Sequence, residues 1–138
     1  MKNNKSERGQ SLVELAISLV ILLTLLAGAV EFGMAFFQFV QLRDAAQEGA
    51  LYGSLNPTDN AGIMARIRGS SASPIDLSDS SVVPDSDIVI TPDGSACEGD
   101  GLKVEISYAH ETFMPFFPFD TIPLKASVTD TILSPVCP

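Results

Sequence analysis

RGQSLVELAISLVILLTLLAGAVEFGMAFFQFVQLRDAAQEGALYGS, residues 8–54, decides the fold of this 138-residue chain. From Leu15 to Val30 sixteen consecutive residues carry no charge. As a helix they extend about 24 Å at ~1.5 Å per residue, short of the roughly 30 Å of hydrocarbon in a bilayer. Counted outward to Leu12 and Phe37, the apolar stretch has twenty-six residues, enough to cross with tilt. Glu14 then lies near the inner interface and Glu31 near the outer one. Only Ser18 and Thr24 break the uncharged run, which favours a membrane-spanning helix over the core helix of a compact domain. No proline occurs between Gln10 and Pro57, so the helix is expected to run on to about Ser54, about 66 Å in all.

Seventeen acidic residues against eight basic ones give a net charge of -9, which argues against nucleic acid as a partner. Lys2, Lys5 and Arg8 precede the apolar run, and a basic leader keeps an N-terminus cytoplasmic by the positive-inside rule. The expected layout is a cytoplasmic leader over residues 1–9, a membrane-spanning part over 10–37 and an extracytoplasmic domain over 38–138.

Glu14 is the anomaly, because a carboxylate in hydrocarbon costs roughly 2.5 kcal/mol or more. A cleaved secretory signal is one reading, with Ala27-Gly28-Ala29 as the cut and a soluble domain beginning at Val30. Glu14 inside the apolar region and helical sequence continuing through Phe32, Phe36 and Leu42 argue against it. An uncleaved signal anchor explains the topology but not the order of residues around Glu14. The third reading places proteolysis after Gly9, whose missing side chain lets a protease approach the backbone. Gln10 becomes a new N-terminal amine, and Glu14 neutralises the amine of a neighbouring subunit, which offsets its burial and sets axial register. Cleavage there leaves five basic against sixteen acidic residues, a net charge of -11.

Gly9, an uncharged stretch and Glu14 resemble the processing site of type IV prepilins and pseudopilins. The larger block Arg8-Gly-Gln-Ser-Leu-Val-Glu-Leu-Ala, with Val30-Glu-Phe-Gly and Ala45-Ala-Gln-Glu-Gly-Ala-Leu-Tyr-Gly, resembles the TadE-like family of tight-adherence (Flp) pilus proteins, most strongly over residues 8–54. The resemblance implies a minor pilin or pilus-assembly factor of a bacterial or archaeal cytoplasmic membrane. Its implied partners are a membrane aspartic prepilin peptidase, other pilins, pilus-assembly membrane proteins and the lipid bilayer. The major Flp pilin pattern has Tyr directly after the glutamate, whereas Leu15 stands here and the chain is longer, which points to a minor or pseudopilin-type component.

Ala45, Gly49 and Gly53 recur every four residues and form a small-residue strip, each glycine costing roughly 1 kcal/mol of helix stability relative to alanine. Close packing is the expected return, either against the chain's own sheet or against another subunit's helix. Ala29 and Gly33 repeat the spacing inside the span. Glu31 either snorkels to the outer interface or pairs with a partner protein. After Pro57, Thr58-Asp-Asn opens a short helix to Arg68, stopped by Gly69, with Ile63, Met64 and Ile67 on its apolar face. Residues 70–86, rich in Ser, Asp and Pro, read as a mobile solvated loop.

Strands are expected at Asp87–Thr91, Leu102–Tyr108 and Leu124–Leu133. The last two alternate strictly, with Leu102, Val104, Ile106, Tyr108 and Leu124, Ala126, Val128 on one face. That face needs a helix over it, so the fold class is α+β, an antiparallel sheet on the outer half of a long pilin-like helix. The Phe113–Phe119 loop either folds under the sheet, touches the membrane or meets a partner. Cys97 and Cys137 both fall in the oxidising part and are expected to form a disulfide. His110 is read as a lone surface histidine. Asp93, Glu98 and Asp100 surround a turn but miss the EF-hand spacing, so no cofactor, metal site or catalytic group is expected.

Overall fold

A computed structural model describes residues 5–113, 120–134 and 137. Helix α1 spans Lys5–Gly53, 49 residues, about 73 Å at ~1.5 Å per residue. Its lower part is exposed on every side, and its upper part carries one buried stripe: Glu31, Ala35, Leu42, Ala45 and Ala46, Gly49 and Ala50, then Gly53. Steps of three and four keep those positions on one face. Thr24, mid-span, donates its hydroxyl to Val20 O at 2.8 Å, which satisfies one of the two hydroxyls, with that of Ser18, in the uncharged run.

Helix α2 covers Asn60–Gly69. Asp59 caps it, its Oδ1 accepting from Gly62 N at 2.9 Å while its Oδ2 accepts from the Tyr52 hydroxyl at 2.9 Å. The Gly62 N–H first, and the Tyr52 hydroxyl second, hold the Asp59 carboxyl below its ordinary range. The same hydrogen bond raises the Tyr52 phenol. Ile63 and Ile67 of α2 are fully buried against α1, with Met64 packed beside them. A Cβ on Gly49 would stand 2.6 Å from Ile67 Cγ1, and one on Gly53 would collide with Leu102. The small-residue strip is therefore filled by the chain's own second helix and sheet.

The sheet has the order β1-β2-β3, all antiparallel, with β1 at Ile88–Pro92, β2 at Gly101–Glu111 and β3 at Thr121–Thr131. Register pairs Ile88 with Ile106, Val104 with Val128, Ile106 with Ala126 and His110 with Ile122. Leu102, Val104, Ile106 and Ala126 are buried against α1, as the alternation requires. On the opposite face Glu105 bridges Lys125 at 2.6 Å and Lys103 at 3.0 Å. Those two ammonium groups, Lys125 first, hold its carboxyl below the ordinary range. β2 and β3 each run longer at the end near the span than the alternation alone marks, because their outermost pairs face the stalk.

Residues 70–86 differ from the expectation of a mobile loop. Ile75, Leu77 and Val83 are buried to within 1%, so the segment supplies a third layer to the core. Its carbonyls are gathered by Arg68, whose Nη1 donates to Leu77 O at 2.8 Å and Val83 O at 2.7 Å while Nη2 meets Asp85. Gln41 of α1 brackets Ile75, donating to its carbonyl at 2.7 Å and accepting from its N–H at 3.1 Å. Three apolar side chains spaced among serines show no periodicity, which is why pattern reading passed over them.

Cys97 and Cys137 are bonded, with Cα atoms 5.5 Å apart. Gly99 N donates to Ile132 O at 2.9 Å and Leu133 N to Ser54 O at 2.7 Å, so the C-terminal segment is tied to both the β1–β2 turn and the end of α1. Asp100 serves that turn: its Oδ2 accepts from Ser95 N at 2.9 Å and Cys97 N at 3.2 Å.

Candidate functional site

The functional surface has two parts: the uncovered length of α1, and the junction where the sheet begins to cover it. From Gly9 through Ala27 every residue is exposed, including Leu12, Ile17, Leu22 and Leu26. Buried apolar contact is the usual reason for a helix to carry such residues, and among the described residues nothing covers them. The segment from Gly9 onward is long and apolar enough to cross a membrane, with a mean hydropathy of 2.5 in its most apolar window.

Gly9 and Gln10 lie within continuous helix, and open space surrounds Gly9. Glu14 is exposed on the same uncovered length, and among the described residues it has no ion-pair partner. Gly33 likewise faces open space. The Ala45, Gly49 and Gly53 strip, by contrast, is closed intramolecularly. Residues 1–4 of the expected leader and residues 114–119 of the Phe-rich loop lie outside the described residues.

The junction corrects two expectations at once. Glu31 neither snorkels free nor waits for a partner protein, and His110 is not on the surface: the two side chains are 6% and 5% exposed and meet at 3.0 Å, Nε2 to Oε1. The same Glu31 oxygen accepts from Phe113 N at 3.1 Å. They are 79 residues apart in sequence. A carboxylate that would be costly on an uncovered helix here accepts two hydrogen bonds under the end of the sheet. The alternation of β2 already placed His110 on the inward face with Leu102, Val104 and Ile106; that was the available signal, and the single histidine obscured it. Beside the pair lies an apolar cavity of about 300 Å³, lined mainly by Phe32, Ala35, Phe36, Phe39, Ile122 and Leu124.

Chemically, the arrangement offers a helix long and apolar enough to cross a membrane, a carboxylate near its start that has no ion-pair partner among the described residues, and a buried Glu31–His110 contact where the sheet begins. Among the described residues no cluster of three or more His, Cys, Asp or Glu side chains is placed to hold a metal ion. Comparisons with curated proteins and with solved structures gave no match. The family model described as TadE-like protein matches residues 9–51. That range contains the whole uncovered length of α1 and most of its covered stripe, in agreement with the resemblance drawn from residues 8–54, so the similarity to the TadE-like family lies in the long helix.

Proposed function

We propose that this chain is a minor-pilin or pseudopilin-type component of a tight-adherence (Flp) pilus, with a structural role in pilus biogenesis, adhesion and surface colonisation. It is inserted in the cytoplasmic membrane by α1, leader inside and sheet domain outside, and matured by a prepilin peptidase that hydrolyses the Gly9–Gln10 bond. The mature chain then associates laterally with other pilins or pilus-assembly proteins, and an extracellular pilus is one destination for it.

The observation that supports this reading is the combination of a helix uncovered from Gly9 to Ala27 with a Glu14 near its start that has no ion-pair partner among the described residues. A tether needs only the apolar length. It gives no reason for a carboxylate that loses its hydration on entering lipid. The amine formed at Gln10 of a neighbouring chain supplies the missing counter-charge. Gly9 assists the cut, since its roughly 1 kcal/mol helix penalty relative to alanine eases the local unwinding a protease requires.

The test is the intact mass of the protein from cells with an active prepilin peptidase, beside Gly9→Val. The wild type is expected to lose residues 1–9 and the variant to keep them. Site-directed crosslinking should then capture lateral pairs that Glu14→Ala abolishes. An uncleaved wild type whose association survives Glu14→Ala refutes the pilin reading and leaves a membrane-anchored extracytoplasmic binding domain.

A further inference from the structure

We infer that the lower end of the sheet domain is itself a membrane-docking surface, with Phe113 seated in the outer leaflet beside the exit of α1. The inference rests on the reading of α1 as a membrane span.

Three observations fix the axial level. Glu31 is 22 residues beyond Gly9, about 33 Å along a helix at ~1.5 Å per residue, against roughly 30 Å of hydrocarbon. Glu31 therefore stands at the outer boundary when Gly9 stands at the inner one. Phe113 is fixed to that level, because its N–H is donated to the Glu31 carboxylate at 3.1 Å. Its ring is nevertheless 86% exposed. On the helix side of the same level Phe32 and Phe36 are 73% and 57% exposed, their ring centroids 6.2 Å apart. With Ile122 and Leu124 they line the apolar cavity at the end of β3.

Phe32 and Phe36 continue the uncovered length of α1, and Phe113 is held beside them through Glu31. Lipid is the occupant that this continuity selects, because the surface joins the bilayer-facing helix without a break. The polar groups set the depth. Glu111 and Asp120 are exposed at the same end of the sheet, and carboxylates stay in the headgroup layer. Phe113 thus enters only the interfacial zone, roughly 5–10 Å deep as for other interfacial apolar faces. Docking there gives the domain a second attachment and fixes the sheet's tilt relative to the membrane plane.

The chain contains no tryptophan, so single-tryptophan reporters read the depth without background. The full chain carrying Phe113→Trp is reconstituted in zwitterionic phosphatidylcholine vesicles with lipids brominated at defined acyl positions. Leu22→Trp reports the middle of the span, and Thr129→Trp the far end of the sheet. Phe113→Trp is expected to show blue-shifted emission and to lose intensity most strongly to bromines near the headgroup. Leu22→Trp should lose it to deep bromines, and Thr129→Trp to none. Quenching of Leu22→Trp without quenching of Phe113→Trp overturns the docking inference alone, whether the ring stays open to aqueous iodide or is covered by a second copy. Absence of quenching at both positions overturns the spanning reading together with it. Because Phe113 is exposed, its replacement leaves the core intact, and retained protease resistance of the sheet domain verifies this.

Discussion

Replacing His110 by alanine tests the latch at the membrane exit. The substitution removes the Nε2 group 3.0 Å from Glu31 Oε1 and leaves the carboxylate with Phe113 N–H as its remaining donor among the described residues. A hydrogen bond to a charged group contributes about 1.5–3 kcal/mol. The site lies at the edge of the domain, next to the exposed Phe113, so water can partly rehydrate the orphaned carboxylate. The lower part of that range applies, about 2 kcal/mol. At about 4–8 °C per kcal/mol for a domain of this size, the melting temperature of the detergent-solubilised full chain should fall by on the order of 10 °C. The loss should also be local. Hydrogen exchange should accelerate at residues 109–113 and 121–124, while Leu102, Val104 and Ile132 stay protected. Glu31→Gln keeps an oxygen acceptor for Phe113 N–H and removes the charge, so it should cost only about 1 kcal/mol by itself. Combined with His110→Ala it should recover part of that variant's loss. If His110→Ala melts with the wild type and exchange at 109–113 is unchanged, the latch has no structural role and the reasoning fails.

Gly49→Ala should lower stability by about 1 kcal/mol, since overpacking against Ile67 costs about 1–3 kcal/mol and the gain in helix propensity offsets roughly 1; thermal melting measures it, and Gly49→Val should be worse. Cys137→Ala should cost about 2–4 kcal/mol and release the C-terminal segment, read as faster exchange at Ile132 and Leu133. Glu105 titrates below its ordinary range in the folded chain, so its contribution is present above the unfolded carboxyl pKa and disappears as pH falls through the lower, folded value. Glu105→Gln should therefore flatten that part of the stability profile in acid while leaving its neutral-to-alkaline shape unchanged. Tyr52 behaves oppositely, its phenol raised by Asp59: in Asp59→Asn, ultraviolet difference absorbance should show the Tyr52 phenolate forming at lower pH.

The apolar span, its length and the antiparallel sheet were legible because each is a local property. Hydrocarbon thickness converts directly into residues of helix, and alternation in β2 and β3 names the face that must be covered. The disulfide followed from the expectation that both cysteines share an oxidising compartment. Residues 70–86 were misread because burial there depends on three side chains held in place by Arg68 and Gln41, and their spacing has no period to detect.

By itself the sequence determined a helix long and apolar enough to cross a membrane and a sheet with one apolar face, since hydrophobic patterning is written residue by residue along the chain. Tertiary structure alone decided what the two costly polar residues do. Glu31 and His110 are each unfavourable in isolation, one on an apolar helix and the other on the inward face of a strand. They become favourable only when strand pairing brings the end of β2 onto the exit of α1, because the free energy of a buried charge depends on the donors around it and not on its neighbours in the chain.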